Sequence, residues 1–263
     1  MRTARGEMLA DESWLAARIA ELNASWRTDS MRVGATLWWC MTASALVEPV
    51  VRALARETPI TAPALDRLEL WLRPDGTVEK VRFLDTDADA AGPAELRHVV
   101  EPRTRSTRAD SDGTPRVRIG APESGVGAAA APSGARTVIG GPGGEPAGPG
   151  EIPVALRATL STVIDRISAV SGVRGPALWA VVTDVVASWA VDARAPEIGQ
   201  RLAAEIGSAL PAPRFVEVGG RTFVKRASCC LVYEAPNCEK CVSCPKRPPT
   251  ERAALLADYA RRA

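Results

Sequence analysis

Residues 177–191, Ala-Leu-Trp-Ala-Val-Val-Thr-Asp-Val-Val-Ala-Ser-Trp-Ala-Val, read as a helix that is apolar on nearly every side. A helix without a polar face has to be covered all round, so the rest of the chain must fold about this segment. The stretch is shorter than the ~20 residues a bilayer core requires. Asp184 stands near its middle, where lipid would penalise a charge, so no transmembrane helix is expected. The chain's 263 residues, 46% hydrophobic and 24% charged, suffice to bury a sizeable core. With 33 Lys/Arg against 31 Asp/Glu the net charge is +2, too balanced for a general nucleic-acid binder. Residues 1–11 carry two arginines with no apolar run behind them, so no export signal is read and a cytoplasmic protein is expected.

Hydrophobic spacing sets out the remaining elements. Trp14, Ile19 and Leu22 place a helix over about 11–24, and Val33, Leu37, Met41 and Leu46 a second over about 30–57, which Pro49 is expected to end or kink. Alternating segments at 68–72 and 78–84 surround Pro74-Asp75-Gly76 and predict a β-hairpin. Leu156, Leu160, Val163, Ile164 and Ile167 recur at helical spacing up to Gly172, and Pro176 opens the apolar helix, expected over 177–192. A short helix at about 196–210 precedes a second hairpin, 215–218 and 222–225 around Gly219-Gly220, which delivers the chain to Cys229. A last helix is expected at about 250–262. The fold class is therefore α+β, predominantly helical, with two short β-hairpins and a carboxyl-terminal four-cysteine module. Residues 1–213 are read as the helical core and 214–263 as the module. A Gly/Pro/Arg-rich insert at about 102–151 has few large apolar residues to offset the entropy of ordering. Its glycines lack the Gly-Lys-Ser/Thr a phosphate loop needs.

Five of the six cysteines, Cys229, Cys230, Cys238, Cys241 and Cys244, fall within 16 residues. Disulfide frameworks belong to small exported domains, whereas thiols this close in a reducing compartment usually bind metal. From Cys229 the spacing is Cys-Cys, ten residues, Cys, two residues, Cys, so four thiolates can converge. A Cys-x-x-Cys loop lets two sulfurs face one metal, while adjacent cysteines point apart and need a turn to reach a common centre. A two-iron centre relaxes that demand because its ligands are spread over two ions. Cys238 opens another reading, since 238, 241 and 244 form Cys-x2-Cys-x2-Cys with Pro245 behind, as in bacterial four-iron ferredoxins. Zinc held by four thiolates is a third; it suits Cys241 and Cys244 but not the adjacent pair. Spacing alone leaves these readings open. Elsewhere, Cys40 within Trp38-Trp39-Cys40-Met41 reads as a small buried hydrophobe, and His98 is the sole imidazole.

Resemblance narrows the choice. Cys229-Cys230, ten residues, then Cys241-x2-Cys244-Pro245, preceded by Lys225-Arg226-Ala227-Ser228 and followed by Leu231-Val232-Tyr233, resembles the carboxyl-terminal signature of the FhuF-type ferric-siderophore reductases. The resemblance implies a [2Fe–2S] cluster held by Cys229, Cys230, Cys241 and Cys244. It also implies one-electron reduction of Fe³⁺ in an imported siderophore, hydroxamates among them, with an electron donor such as a ferredoxin or reductase. Cys238, inside the ten-residue gap, is a departure from that pattern. An electron-transfer or iron/redox-sensing protein on the same ligands is the alternative, followed by a zinc-stapled interaction protein. From residue 214 onward ten Lys/Arg face five Asp/Glu. Lys225, Arg226 and Lys240 near a centre that gains negative charge on reduction would raise its potential. The same basic face would steer an acidic donor.

Overall fold

The computed structural model describes residues 2–84, 147, 148 and 150–262. In chain order these form β1 (Arg2–Arg5), α1 (Glu12–Trp26), α2 (Met31–Arg56), β2 (Leu68–Leu72) and β3 (Val78–Phe83). They continue as α3 (Glu151–Ser171), α4 (Gly175–Asp192), α5 (Pro196–Ile206), β4 (Phe215–Val218), β5 (Arg221–Val224) and α6 (Pro249–Arg262). The chain is mostly helical, with two small antiparallel sheets and the cysteine-rich segment between β5 and α6, as the expected α+β class requires. The expected insert falls almost wholly outside the described residues; at its end Glu151 is already the first residue of α3. Among the described residues no helix is long and apolar enough to cross a membrane.

Helix α4 is the axis of the molecule: α2, α3, α5 and β5 all pack on it. Leu178, Val182, Val186, Ala187 and Ala190 are wholly buried along it, and Pro176 lies in its first turn, where a missing N–H costs nothing. On α2, Trp38 and Trp39 are adjacent and reach opposite neighbours. The Trp38 indole N–H donates to the Gly76 carbonyl and that of Trp39 to the Leu178 carbonyl, both at 3.0 Å. Thus α2 is riveted to the β2–β3 turn by one ring and to α4 by the next.

Pro49 does not end α2, which runs on to Arg56. A proline inside a helix costs about 3 kcal/mol. Around it Val47, Val50 and Val51 are fully buried, and each buried valine stabilises by roughly 1.5 kcal/mol or more, enough to offset the break. Helix α5 stops at Ile206, short of the expected 210, because Gly207 at φ 101° leaves the helical region.

In the first sheet Leu68, Leu70 and Leu72 alternate toward the core, and β2 pairs with β3 from Leu68↔Phe83 to Leu72↔Val78, with an irregularity between Trp71 and Leu72. Strand β1 was not signalled in the sequence, since Arg-Thr-Ala-Arg has no apolar alternation. It forms by backbone pairing with β2, Arg2↔Leu72 to Arg5↔Glu69, and Arg2 pins it to Glu21 of α1 at 2.9 Å. The second hairpin turns at Gly219 and Gly220, φ 58° and 75°, the conformation a tight two-residue connection demands. It rests on α4 through β5 and meets α6 through β4.

Candidate metal centre

Leaving β5, the chain passes Lys225 to Ser228 and reaches the adjacent cysteines. Leu231 then adopts the left-handed conformation, φ 62° and ψ 10°, uncommon for a residue with a side chain. It turns the chain directly after the adjacent pair, of which Cys230 is buried and Cys229 half-buried. A short 3-10 turn, Val232–Glu234, packs this loop on α2. The second loop closes with the Cys244 N–H donating to the Cys241 carbonyl at 3.1 Å. Arg247 donates through Nε to the Cys241 carbonyl at 3.0 Å and through Nη2 to that of Lys240. Arg252 of α6 donates to the Cys244 carbonyl at 3.4 Å. The backbone of the second loop is therefore gripped by arginines from the stretch that follows it.

These loops bring the Cys229 and Cys244 sulfurs to 3.8 Å. Two sulfurs bound to one tetrahedral metal ion at about 2.3 Å stand roughly 3.8 Å apart, so this pair has the spacing of two ligands on one ion. Burial pushes the Cys229 thiol up to about 11, the Leu231 N–H opposing and the Cys244 and Cys230 thiols adding. Burial likewise raises Cys241, against the pull of the Arg226 charge, with Cys230 adding. Cys238 is raised by burial and by Cys230. Among the described residues no three His, Cys, Asp or Glu side chains converge as a single-ion site. A two-iron centre asks two thiolates of each ion; the Cys229–Cys244 pair has the spacing for one ion, and among the described residues no comparable sulfur approach joins Cys230 to Cys241.

Asp184, from the middle of α4, is 3% exposed. Its carboxylate accepts from the Ala227 N–H at 2.7 Å, the Ser228 N–H at 2.8 Å, the Ser228 hydroxyl at 2.6 Å and Arg226 Nε at 3.3 Å. Arg226 in turn donates through Nη1 toward the Cys241 sulfur at 3.7 Å. Burial works against the Arg226 charge, but the Cys40 thiol, the Asp184 carboxylate and the Cys230 and Cys241 thiols outweigh it, so its pKa is raised. Sequence reasoning used Asp184 only against a bilayer span and missed this role. The signal was present: a lone carboxylate in an apolar helix has to find buried donors.

Of the three basic residues expected beside the centre, Arg226 is the one with a bond to a sulfur. Lys240 lies over the Tyr233 ring at 5.5 Å and donates to the Lys246 carbonyl, and Lys225 is exposed. Cys40 is half-buried against core hydrophobics, as its apolar setting suggested. Its neighbour was not legible in the sequence: Cys40 and Cys230 line one cavity of about 330 Å³, with Met41, Glu48, Arg73 and Trp189 also on its walls. Burial drives the Cys40 thiol strongly upward, and Cys230 adds to the effect. His98 lies outside the described residues.

No curated protein and no solved structure matches the chain. The family model described as the FhuF 2Fe-2S C-terminal domain matches residues 226–246, from the arginine on Asp184 to just past the last cysteine, so the cysteine segment of this chain carries the FhuF-type signature.

Proposed function

We propose that the chain is a [2Fe–2S] protein that reduces ferric iron in a siderophore complex, with Cys229, Cys230, Cys241 and Cys244 holding the cluster. The observation that carries this reading is the 3.8 Å approach of the Cys229 and Cys244 sulfurs inside the segment matched by the FhuF 2Fe-2S C-terminal domain. Residues 214–263 act as the cluster module and 1–213 as the helical core that seats it. When bound, such a cluster supplies a one-electron carrier; plant-type, thiolate-held centres lie at about −400 mV, a range suited to tightly chelated ferric ion. The chain's own groups do the remaining work. Its thiolates hold the irons, Arg247 and Arg252 keep the second loop closed, and Arg226 faces Cys241. The ferric chelate is the substrate, and the cavity of about 330 Å³ beside Cys230 adjoins one of the proposed cluster thiols. The chelator's hard oxygens hold Fe²⁺ far less tightly than Fe³⁺, so one electron releases the metal. A cytoplasmic protein fed by a ferredoxin or reductase fits this chemistry.

The experiment has two stages. Purified without oxygen, the protein is expected to be reddish brown, with about two irons and two sulfides per chain; stoichiometric zinc without sulfide overturns the reading. With a reduced ferredoxin or chemical donor, it should then reduce a ferric hydroxamate, the product trapped as a coloured ferrous complex, and Cys229→Ser should not. If the reduced cluster persists beside hydroxamate, catecholate and mixed chelates alike, the protein is an electron carrier or sensor instead.

A further inference from the structure

A carboxylate buried in an apolar helix is destabilising unless its oxygens are satisfied. Asp184 receives all four of its hydrogen bonds from Arg226, Ala227 and Ser228, the three residues that immediately precede Cys229. Arg226 alone extends the line, its Nη1 reaching the Cys241 sulfur in the other cysteine loop at 3.7 Å. A continuous path of bonds therefore runs from the core helix, through one guanidinium, to the far loop. Lys240 carries the same charge but is engaged over Tyr233. Donors aimed at a cluster sulfur favour the more negative, reduced state. A planar guanidinium held by a carboxylate presents its remaining N–H groups in a fixed direction, which a flexible ammonium does not.

We propose that Asp184 is a positioning residue that fixes Arg226 on the Cys241 sulfur, and that this bond, rather than the overall basic charge of the segment, sets the reduction potential of the centre. The proposal rests on the cluster reading above. The Asp184 charge taken alone would lower the potential, so its favourable influence reaches the centre only by way of Arg226.

The test is a redox titration of the anaerobically loaded protein and its variants, with iron and sulfide content and thermal unfolding of the metal-free chain measured alongside. Arg226→Gln is expected to lower the reduced-to-oxidised ratio at fixed ambient potential about tenfold, or about 59 mV for one electron. Lys240→Gln should change it by less than about threefold, as suits a half-buried charge turned to Tyr233 and the Lys246 carbonyl and not to a sulfur. Asp184→Glu keeps the charge and moves the carboxylate by one methylene; it should shift the ratio in the direction of Arg226→Gln. If that variant does not fold, Asp184→Asn serves in a double-mutant cycle, where the effect of Arg226→Gln should shrink to less than about threefold. In the metal-free chain Asp184→Asn should lower Tm by about 5 °C or more, a readout that needs no cluster. Equal shifts for Arg226→Gln and Lys240→Gln, or additive effects of Asp184→Asn and Arg226→Gln, overturn the proposal. If the wild-type chain forms no iron–sulfur centre, the cluster reading itself fails. If it forms one and the variants leave the potential unchanged, this inference alone fails.

Discussion

Cysteine 238 separates the two iron–sulfur readings at the scale of single residues. It is half-buried and stands outside the 3.8 Å sulfur pair, which joins Cys229 to Cys244. Serine at Cys229, Cys230, Cys241 or Cys244 is therefore expected to strip or destabilise the cluster, and Cys238→Ser to leave its visible spectrum and iron content nearly unchanged. Cys238 essential and Cys230 dispensable would reverse the assignment. The spacing of these cysteines was legible in the sequence; the turn that follows the adjacent pair was not, because nothing in leucine announces a left-handed Leu231. Far from the centre, Glu21 offers a pH-dependent reading. The Arg2 hydrogen bond holds its carboxyl below the ordinary value of 4.5, against the opposing effect of burial, and Arg18 assists. Its folded pKa is depressed, so its contribution is present above about 4.5 and is lost as pH falls through the folded value. Glu21→Gln should lower Tm at pH 7, and the gap to wild type should close as both are titrated into acid.

Among the elements, the contact of α5 with α4 leaves no room at Gly199. A Cβ there would stand 2.7 Å from the Ala190 Cβ and 3.5 Å from the Val186 carbonyl oxygen. Gly→Ala in a helix ordinarily gains about 1 kcal/mol, but overpacking costs roughly 1–3 kcal/mol, and rigid neighbours on α4 favour the larger figure. Gly199→Ala is expected to be destabilised on balance, by about 1 kcal/mol or more, in denaturant unfolding; a gain in stability would show that the helices can separate there at little cost. Elements held by their own periodicity were readable in advance, as α3, α4 and the β2–β3 hairpin attest. Where a neighbour decides, the sequence was silent or misleading. Strand β1 exists because β2 offers an edge, and α2 survives Pro49 because valines on either side of it are buried.

Over the whole molecule, charge is divided unevenly: residues 214–263 carry ten Lys/Arg and five Asp/Glu, while the chain as a whole is nearly neutral. Exposed charges are screened beyond about 8–10 Å at physiological salt, so steering of an acidic donor weakens as salt rises. Stopped-flow rates of electron transfer from a reduced ferredoxin should fall steadily with ionic strength, and those from a neutral chemical donor should stay level. Equal behaviour of the two donors would mean that the basic face guides nothing.

The seating of the first cysteine loop on Asp184 also bears on the protein's life after damage. Zinc fingers lose their shape with their metal, because the metal is their core. Here the loop ahead of Cys229 is moored to a carboxylate of the central helix by bonds in which iron takes no part. Were the proposed centre lost, these bonds would keep the stretch ahead of Cys229 on α4, so the anchorage of the first cysteine loop does not depend on a bound metal.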